Sequence, residues 1–337
     1  MTRNVLARMA LMAGILSALG AARPGWAEPT PQPQPQPQTV VPGVWLISGG
    51  IQPNRQPDGN TVIFAAPEGL VVMDTGRHVW QRRAILDFAK AQGRPIVAIV
   101  NSHWHLDHVS GNAELKRAYP GVKVWASSAI DGALAGFLPK GAEANRKLLA
   151  DGGLPPETVD DIKGDIATVE NGQALRPDVV VSASGDRVIG GLKLAVYLAP
   201  HAATDGDVWV YEPRSRVAAI GDLVTLPAPF LDTACAAGWR AALDRVWAVP
   251  FKTAIPGHGA PMTRAQFALW RGAFNALIDC AASGRDKQAC AADWTAATAE
   301  LRGADAREAR RAQGMTEYYV ADVLRAHGGN SAYCSAA

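Results

Sequence analysis

The sequence predicts an α/β fold, strands and helices layered around a metal site, from three observations. Apolar runs rich in Val, Ile and Leu alternate with helical patterns through most of the chain. Several of those runs stop at a small or turn residue followed by a histidine or aspartate, and open α/β sheets bind ligands at the carboxyl ends of their strands. The segment His103-Trp104-His105-Leu106-Asp107-His108 places four side chains that can ligate a metal within six positions. Histidines at a strand end can be ordinary polar residues on a solvated loop. Three imidazoles and a carboxylate this close, however, are electrostatically awkward without a cation.

Taken in order, residues 1–27 read as a removable secretory signal: Arg3 and Arg8 precede an apolar stretch, 9–19, and Gly25-Trp26-Ala27 suits cleavage. The apolar stretch falls short of the ~20 residues that span a bilayer, so no integral membrane anchor is expected after cleavage and the expected location is periplasmic or secreted. A Pro/Gln-rich linker, 28–39, follows as an extended, disordered tether. The catalytic domain is expected over 40–262. Its strands are 40–48, 61–65 and 70–73, rich in β-branched residues and separated by Gly and Pro. The loop 49–60 could lie over the site. A helix at 80–91 precedes the buried strand 95–100, which Gly93 and Asn101-Ser102 bound. A helix at 113–119 and a strand at 122–126 complete this half.

Residues 127–175 lack strand pattern but hold helical stretches such as 142–149, broken at Gly152-Gly153 and Pro155-Pro156. This helical insertion is either a lid that contributes to substrate choice or a set of helices packed outside the domain. Beyond it, the run 192–198 leads to His201, 216–220 leads through Gly221 to Asp222, and 253–255 leads through Pro256-Gly257 to His258. Residues 263–337 form a helical C-terminal extension, with patterns at 265–278 and 304–311, expected to pack on the domain; dimer contacts stay open.

Within the hexapeptide, His103 and His105 are two apart and face one side of an extended segment. Asp107 and His108 follow as the chain turns and suit a second ion, because one zinc accepts roughly four ligands at about 2.0 to 2.2 Å. His201, Asp222 and His258 are weak signals singly. Glycine beside a ligand permits close approach or positive φ, as a crowded metal loop requires.

On these residues the chain resembles the metallo-β-lactamase superfamily. Asp74-Thr75-Gly76, the hexapeptide, His201 with Thr204-Asp205-Gly206-Asp207 behind it, Gly221-Asp222, and Pro256-Gly257-His258-Gly259 occur in the family's order. The resemblance implies an αββα sandwich of two mixed β-sheets flanked by helices. It implies one metal held by His103, His105 and His201, another by Asp107, His108 and His258, and Asp222 bridging them as in glyoxalase II. Asp74 would support the ligands from behind. Two Zn2+ per chain are implied, and iron or manganese suits the same donors.

Two cations about 3.5 to 4 Å apart lower the pKa of a shared water toward roughly 7, which would provide a bridging hydroxide, with Asp107 orienting it or taking its proton. The expected function is therefore an exported dinuclear zinc hydrolase of an ester, thioester, lactone or amide. A β-lactamase is the nearest rival, disfavoured by Asp222 where β-lactamase subclasses carry cysteine or serine. An iron-dependent oxidoreductase of the same fold and a non-catalytic metal-binding module are the others.

His78 and His327 lack a motif context and read as solvated or helix-surface residues. Cysteines at 235, 280, 290 and 334 fit an exported protein. Of the three connectivities, Cys280 with Cys290 and Cys235 with Cys334 are favoured, one closing a polar loop and the other tying the tail to the domain. The formal charge of +2 falls to about −1 once Arg3, Arg8 and Arg23 of the leader are removed. With no basic run interleaved with aromatics, nucleic acid is not an indicated partner, and a small-molecule substrate is.

Overall fold

A computed structural model describes residues 34–334; the predicted leader and residues 28–33 of the linker lie outside the described residues. Strands β1 (Gln38–Val41), β2 (Val44–Ile47), β3 (Thr61–Ala66), β4 (Gly69–Met73), β5 (Ile96–Val100), β6 (Lys123–Ala126) and β7 (Val179–Val180) form a seven-stranded sheet in that order. Pairing is antiparallel from β1 to β4 and parallel from β4 to β7. The second sheet has six strands: β8 (Gly185–Ile189), β9 (Leu192–Ala199), β10 (Asp207–Glu212), β11 (Val217–Gly221), β12 (Thr253–Pro256) and β13 (Met262–Thr263), in the order β13-β12-β11-β10-β9-β8. It is antiparallel except between β11 and β12.

Strand side chains alternate between two cores, which makes the molecule a four-layer αββα sandwich. Val71 and Met73 of β4, Ala98 and Val100 of β5, Val208 and Val210 of β10, and Val217 and Ala219 of β11 meet between the sheets. Their neighbours Leu70, Val72 and Ile99 face outward onto Ala84, Ile85 and Ala89 of helix Val79–Ala91. On the other side, Trp209, Ala218 and Ile220 pack against Trp239, Trp270 and Phe274 from helices Ala236–Ala248 and Arg264–Ala282. Period-two alternation in a sheet covered on both faces leaves central strands such as β4, β5 and β11 apolar throughout, as their sequence runs are.

The C-terminal helix Arg264–Ala282 starts with a capping box: Thr263 accepts from the Gln266 backbone while the Gln266 side chain accepts from the Thr263 backbone. It is followed by helices Lys287–Ala297, Ala299–Arg302 and Ala306–Tyr318 and a π-helical turn Tyr319–Arg325. Both favoured disulfides are present, Cys235–Cys334 and Cys280–Cys290. Among the described residues no helix is long and apolar enough to cross a membrane.

Three sequence expectations change. The run 40–48 is a two-strand hairpin, β1 and β2, because Pro42-Gly43 turns the chain with Gly43 at φ 82. The insertion is flanked by β6 and β7 of the same sheet, so it interrupts the first half instead of joining the two; it folds as helices Ala129–Ala135, Phe137–Asp151 and Pro156–Glu170. Finally, His78 is not solvated but only 7% exposed, at the N-cap of helix Val79–Ala91. Its Nδ1 lies 2.7 Å from Asp58 and its Nε2 3.1 Å from Asp161. Burial opposes its charge, but the two aspartates outweigh it and raise its pKa.

Candidate metal centre

Strand ends from both sheets deliver all the predicted ligands but His201 to one edge of the sandwich. Asp74 follows β4, the hexapeptide follows β5, Asp222 follows β11 and Gly257-His258 follows β12. Asp107 and His108 sit in the single helical turn Leu106–Val109. Two glycines make the convergence possible. Gly221 has φ 52, and a Cβ on Gly257 would collide with Asp222 Oδ1.

Asp222 stands at the middle. Its Oδ1 is 3.2 Å from His108 Nε2 and 3.6 Å from His258 Nε2, and its Oδ2 is 3.5 Å from His103 Nε2 and 3.9 Å from His105 Nδ1. Asp107 Oδ2 is 3.0 Å from His258 Nε2 and 3.5 Å from His108 Nε2. Two ligands at zinc distances and a tetrahedral angle are about 3.3 Å apart, so these spacings suit atoms sharing an ion. All of these side chains are buried except His258, which is slightly exposed. His103 Nε2 and Asp222 Oδ1 have no hydrogen-bond partner. Buried polar atoms that converge without satisfying one another call for an ion, and the donor set of imidazole and carboxylate fits zinc.

The opposite nitrogen of each hexapeptide histidine is pinned. His108 Nδ1 is 2.8 Å from Asp74 Oδ2, His103 Nδ1 is 2.9 Å from Ser102 Oγ, and Ser102 Oγ donates to Asp74 Oδ2 at 2.7 Å. His105 Nε2 is 3.1 Å from Thr233 Oγ1, which donates to the carbonyl of Ala203 at 2.8 Å. Because both hydroxyls donate onward, they accept from the imidazole N–H groups, and His103 Nε2 and His105 Nδ1 are left as lone pairs directed at Asp222. Asp74 holds φ 63, a conformation uncommon outside glycine, in order to do this. Ser102 and Thr233 were not found from sequence, since a lone hydroxyl carries no spacing signal.

The electrostatics follow from burial and close packing. Burial opposes ionisation of Asp222, yet His108, His258 and His103 hold it well below the usual carboxylate range. Burial likewise opposes the charge of Asp107, and His108, His258 and Arg77 outweigh it and lower its pKa. His103 is pushed well below its usual value, first by burial and then by His108 and His105. Buried carboxylates packed among imidazoles, with His103 kept neutral, form a donor set suited to a divalent cation.

His201 stands apart. Its side chain is 34% exposed with Nδ1 3.2 Å from Asp205 Oδ1, and the atoms near it belong to Asp205 and Cys235. Cys235 is in a disulfide and has no thiolate to offer. Ala202 and Ala203 are fully buried between His201 and Thr204, so the loop presents the Ala203 carbonyl to the Thr233–His105 relay in place of the histidine. His327 is exposed, as its lack of context suggested.

Comparison with known proteins gives a consistent frame. A sequence profile described as the metallo-beta-lactamase superfamily matches residues 55–258. A linear primary-alkylsulfatase from Pseudomonas sp. (strain ATCC 19151) is 28% identical over 225 residues, 60% of this chain and 41% of that protein. A hydroxyacylglutathione hydrolase from Gloeobacter violaceus is 45% identical over 56 residues, 17% of this chain and 22% of that protein. The chain thus spans less than half the length of either relative. A solved structure of a metallo-beta-lactamase family protein from Thermus thermophilus superposes with a TM-score of 0.57 at 18% identity, over 86% of this chain and 95% of that one. At that identity the likeness concerns the fold.

Proposed function

The chain belongs to the metallo-β-lactamase superfamily, and from that premise we propose that it is a metal-dependent hydrolase carrying zinc at the edge of the sandwich. The observation that carries this reading is the convergence of His108, His258, His103 and His105 on the two oxygens of Asp222, with Asp107 set against His258 and His108. We assign one ion to Asp107, His108 and His258 and a second to His103 and His105, with Asp222 shared. The second lacks His201 and is the weaker. A zinc bound here would act as a Lewis acid, activating water and polarising the scissile group.

The chain's own residues do the rest. Asp74 fixes the rings of His108 and, through Ser102, of His103. His108 and His258, with Arg77 Nη2 3.8 Å from Asp107 Oδ1 behind them, keep the Asp107 carboxylate ionised, so that its oxygens can accept a proton from an attacking water only transiently. The bond class is an ester, thioester, lactone or amide. A sulfate ester is the second reading, favoured by the alkylsulfatase similarity over 225 residues. Both disulfides support placement in the periplasm or outside the cell.

The test is elemental analysis of the full chain purified without added metal, with hydrolysis of a p-nitrophenyl ester, a thioester, nitrocefin and an alkyl sulfate on the same sample. Between one and two zinc per chain with turnover supports the reading. Bound iron with no hydrolysis, or hydrolysis that persists in protein stripped of metal, overturns it.

A further inference from the structure

We infer that the non-reacting part of the substrate is an uncharged apolar chain, held in a cavity that the insertion and the C-terminal extension build against the metal centre; this rests on the hydrolase reading above. The cavity measures about 280 Å³, and its lining joins Asp107, Asp222 and His258 to a remainder that is mostly apolar, with Gln56, Arg77, His105, Asn145, Asp165 and Thr225 as its polar members. That remainder is not supplied by the strands. Phe137, Leu138 and Val169 come from the insertion helices, Phe230 from the loop after β11, and Met315 from helix Ala306–Tyr318.

Charge excludes other tails. Arg77 is the one lysine or arginine of the lining among the described residues, and its Nη1 donates to both oxygens of Asp165 at 2.5 Å. With its Nη2 facing Asp107 as well, its charge is spent within the protein. Asp165 is taken up by Arg77, and Asp107 and Asp222 belong to the metal centre, so the lining away from the metal offers an anion no free cationic side chain. A substrate whose tail carries carboxylates, as β-lactams and glutathione conjugates do, finds no free counter-charge here. An acyl or alkyl chain finds aromatic and aliphatic walls, and gains from each methylene it removes from water.

Gly141 provides a clean way to shorten the cavity. It lies within helix Phe137–Asp151, it is part of the lining, and a Cβ built on it meets no atom within 4 Å. The experiment measures kcat/KM of the zinc-loaded full chain on p-nitrophenyl esters with acyl chains of increasing length. In parallel, the uncharged probe N-phenyl-1-naphthylamine is titrated into metal-free protein and displaced with 1-octanol. We expect kcat/KM to rise at least tenfold between the acetyl and octanoyl esters. Gly141→Phe should remove the probe binding and bring the octanoyl-to-acetyl ratio of kcat/KM down to about one, and Val169→Asp should do the same by charge. A flat length profile in a protein that does not bind the probe overturns the inference, as does faster turnover of a glutathione thioester than of the octanoyl ester. Probe binding displaced by octanol, in a protein that at any metal loading hydrolyses no ester, thioester, lactone, amide or alkyl sulfate, sinks the hydrolase reading and leaves the cavity assignment standing.

Discussion

The carboxylate of Asp74 lies 2.8 Å from Nδ1 of His108, and this contact decides which nitrogen of the ring is available to a metal. It reaches across from the end of β4 to the turn after β5, so two neighbouring parallel strands are tied together by the support of one ligand.

Asp74→Asn keeps the shape and tolerates φ 63, as asparagine commonly does, but loses the charge and one acceptor. Zinc affinity should fall about 10- to 100-fold, the usual cost of losing such a support, with the circular dichroism spectrum unchanged. Competition with a chromophoric chelator measures it. Wild-type affinity in the variant would remove Asp74 from the centre.

His258→Ala and His201→Ala should differ sharply. The first removes a nitrogen 3.0 Å from Asp107 and should cost most of the tightly held zinc and at least 100-fold in turnover. The second alters a residue paired with Asp205 away from the cluster and should leave zinc per chain and kcat/KM within about threefold. If His201→Ala instead loses metal, the loop around Ala202-Ala203 rearranges when zinc binds.

Asp232 gives a pH signature. Burial pushes its pKa up to about 6, against the hydrogen bond it accepts from Tyr318 at 2.9 Å. Below about pH 4 it is protonated folded or unfolded and costs nothing. As pH rises from there through the folded value the unfolded chain is progressively favoured, by at most about 3 kcal/mol once both states are ionised. Asp232→Asn should therefore melt higher than wild type at pH 7.5 and no higher at pH 3.5. Equal differences at both pH values would refute the assignment.

The two disulfides should differ in weight. Cys235–Cys334 closes 99 residues and Cys280–Cys290 only 10. On chain entropy the long loop contributes about 4 to 5 kcal/mol and the short one less than about 3 kcal/mol. Urea denaturation of Cys334→Ser and Cys290→Ser reads the difference, and a larger loss from the short loop would contradict it.

Much of this arrangement was legible in the sequence because it is local. The hexapeptide, Gly221-Asp222 and Pro256-Gly257-His258 each end an apolar strand, and a strand end fixes where the next residue points. What was not legible depends on partners distant in sequence. His78 resembles a surface residue until Asp58 and Asp161 close on it. Thr233 supports His105 from a separate loop. His201 follows a strand as the other ligands do, but two small residues after it let the loop bury Ala203 there instead, and no spacing argument reveals which residue a loop turns inward.

Because successive side chains of β4, β5, β10 and β11 serve opposite cores, a one-residue insertion or deletion in any of these strands would swap both packing faces and turn the following loop through half a revolution. Over evolutionary time, length variation is thus channelled into the connections. The segment between β6 and β7 can be rebuilt, lengthened or replaced to suit a new substrate while the phase of the metal-bearing loops is left untouched.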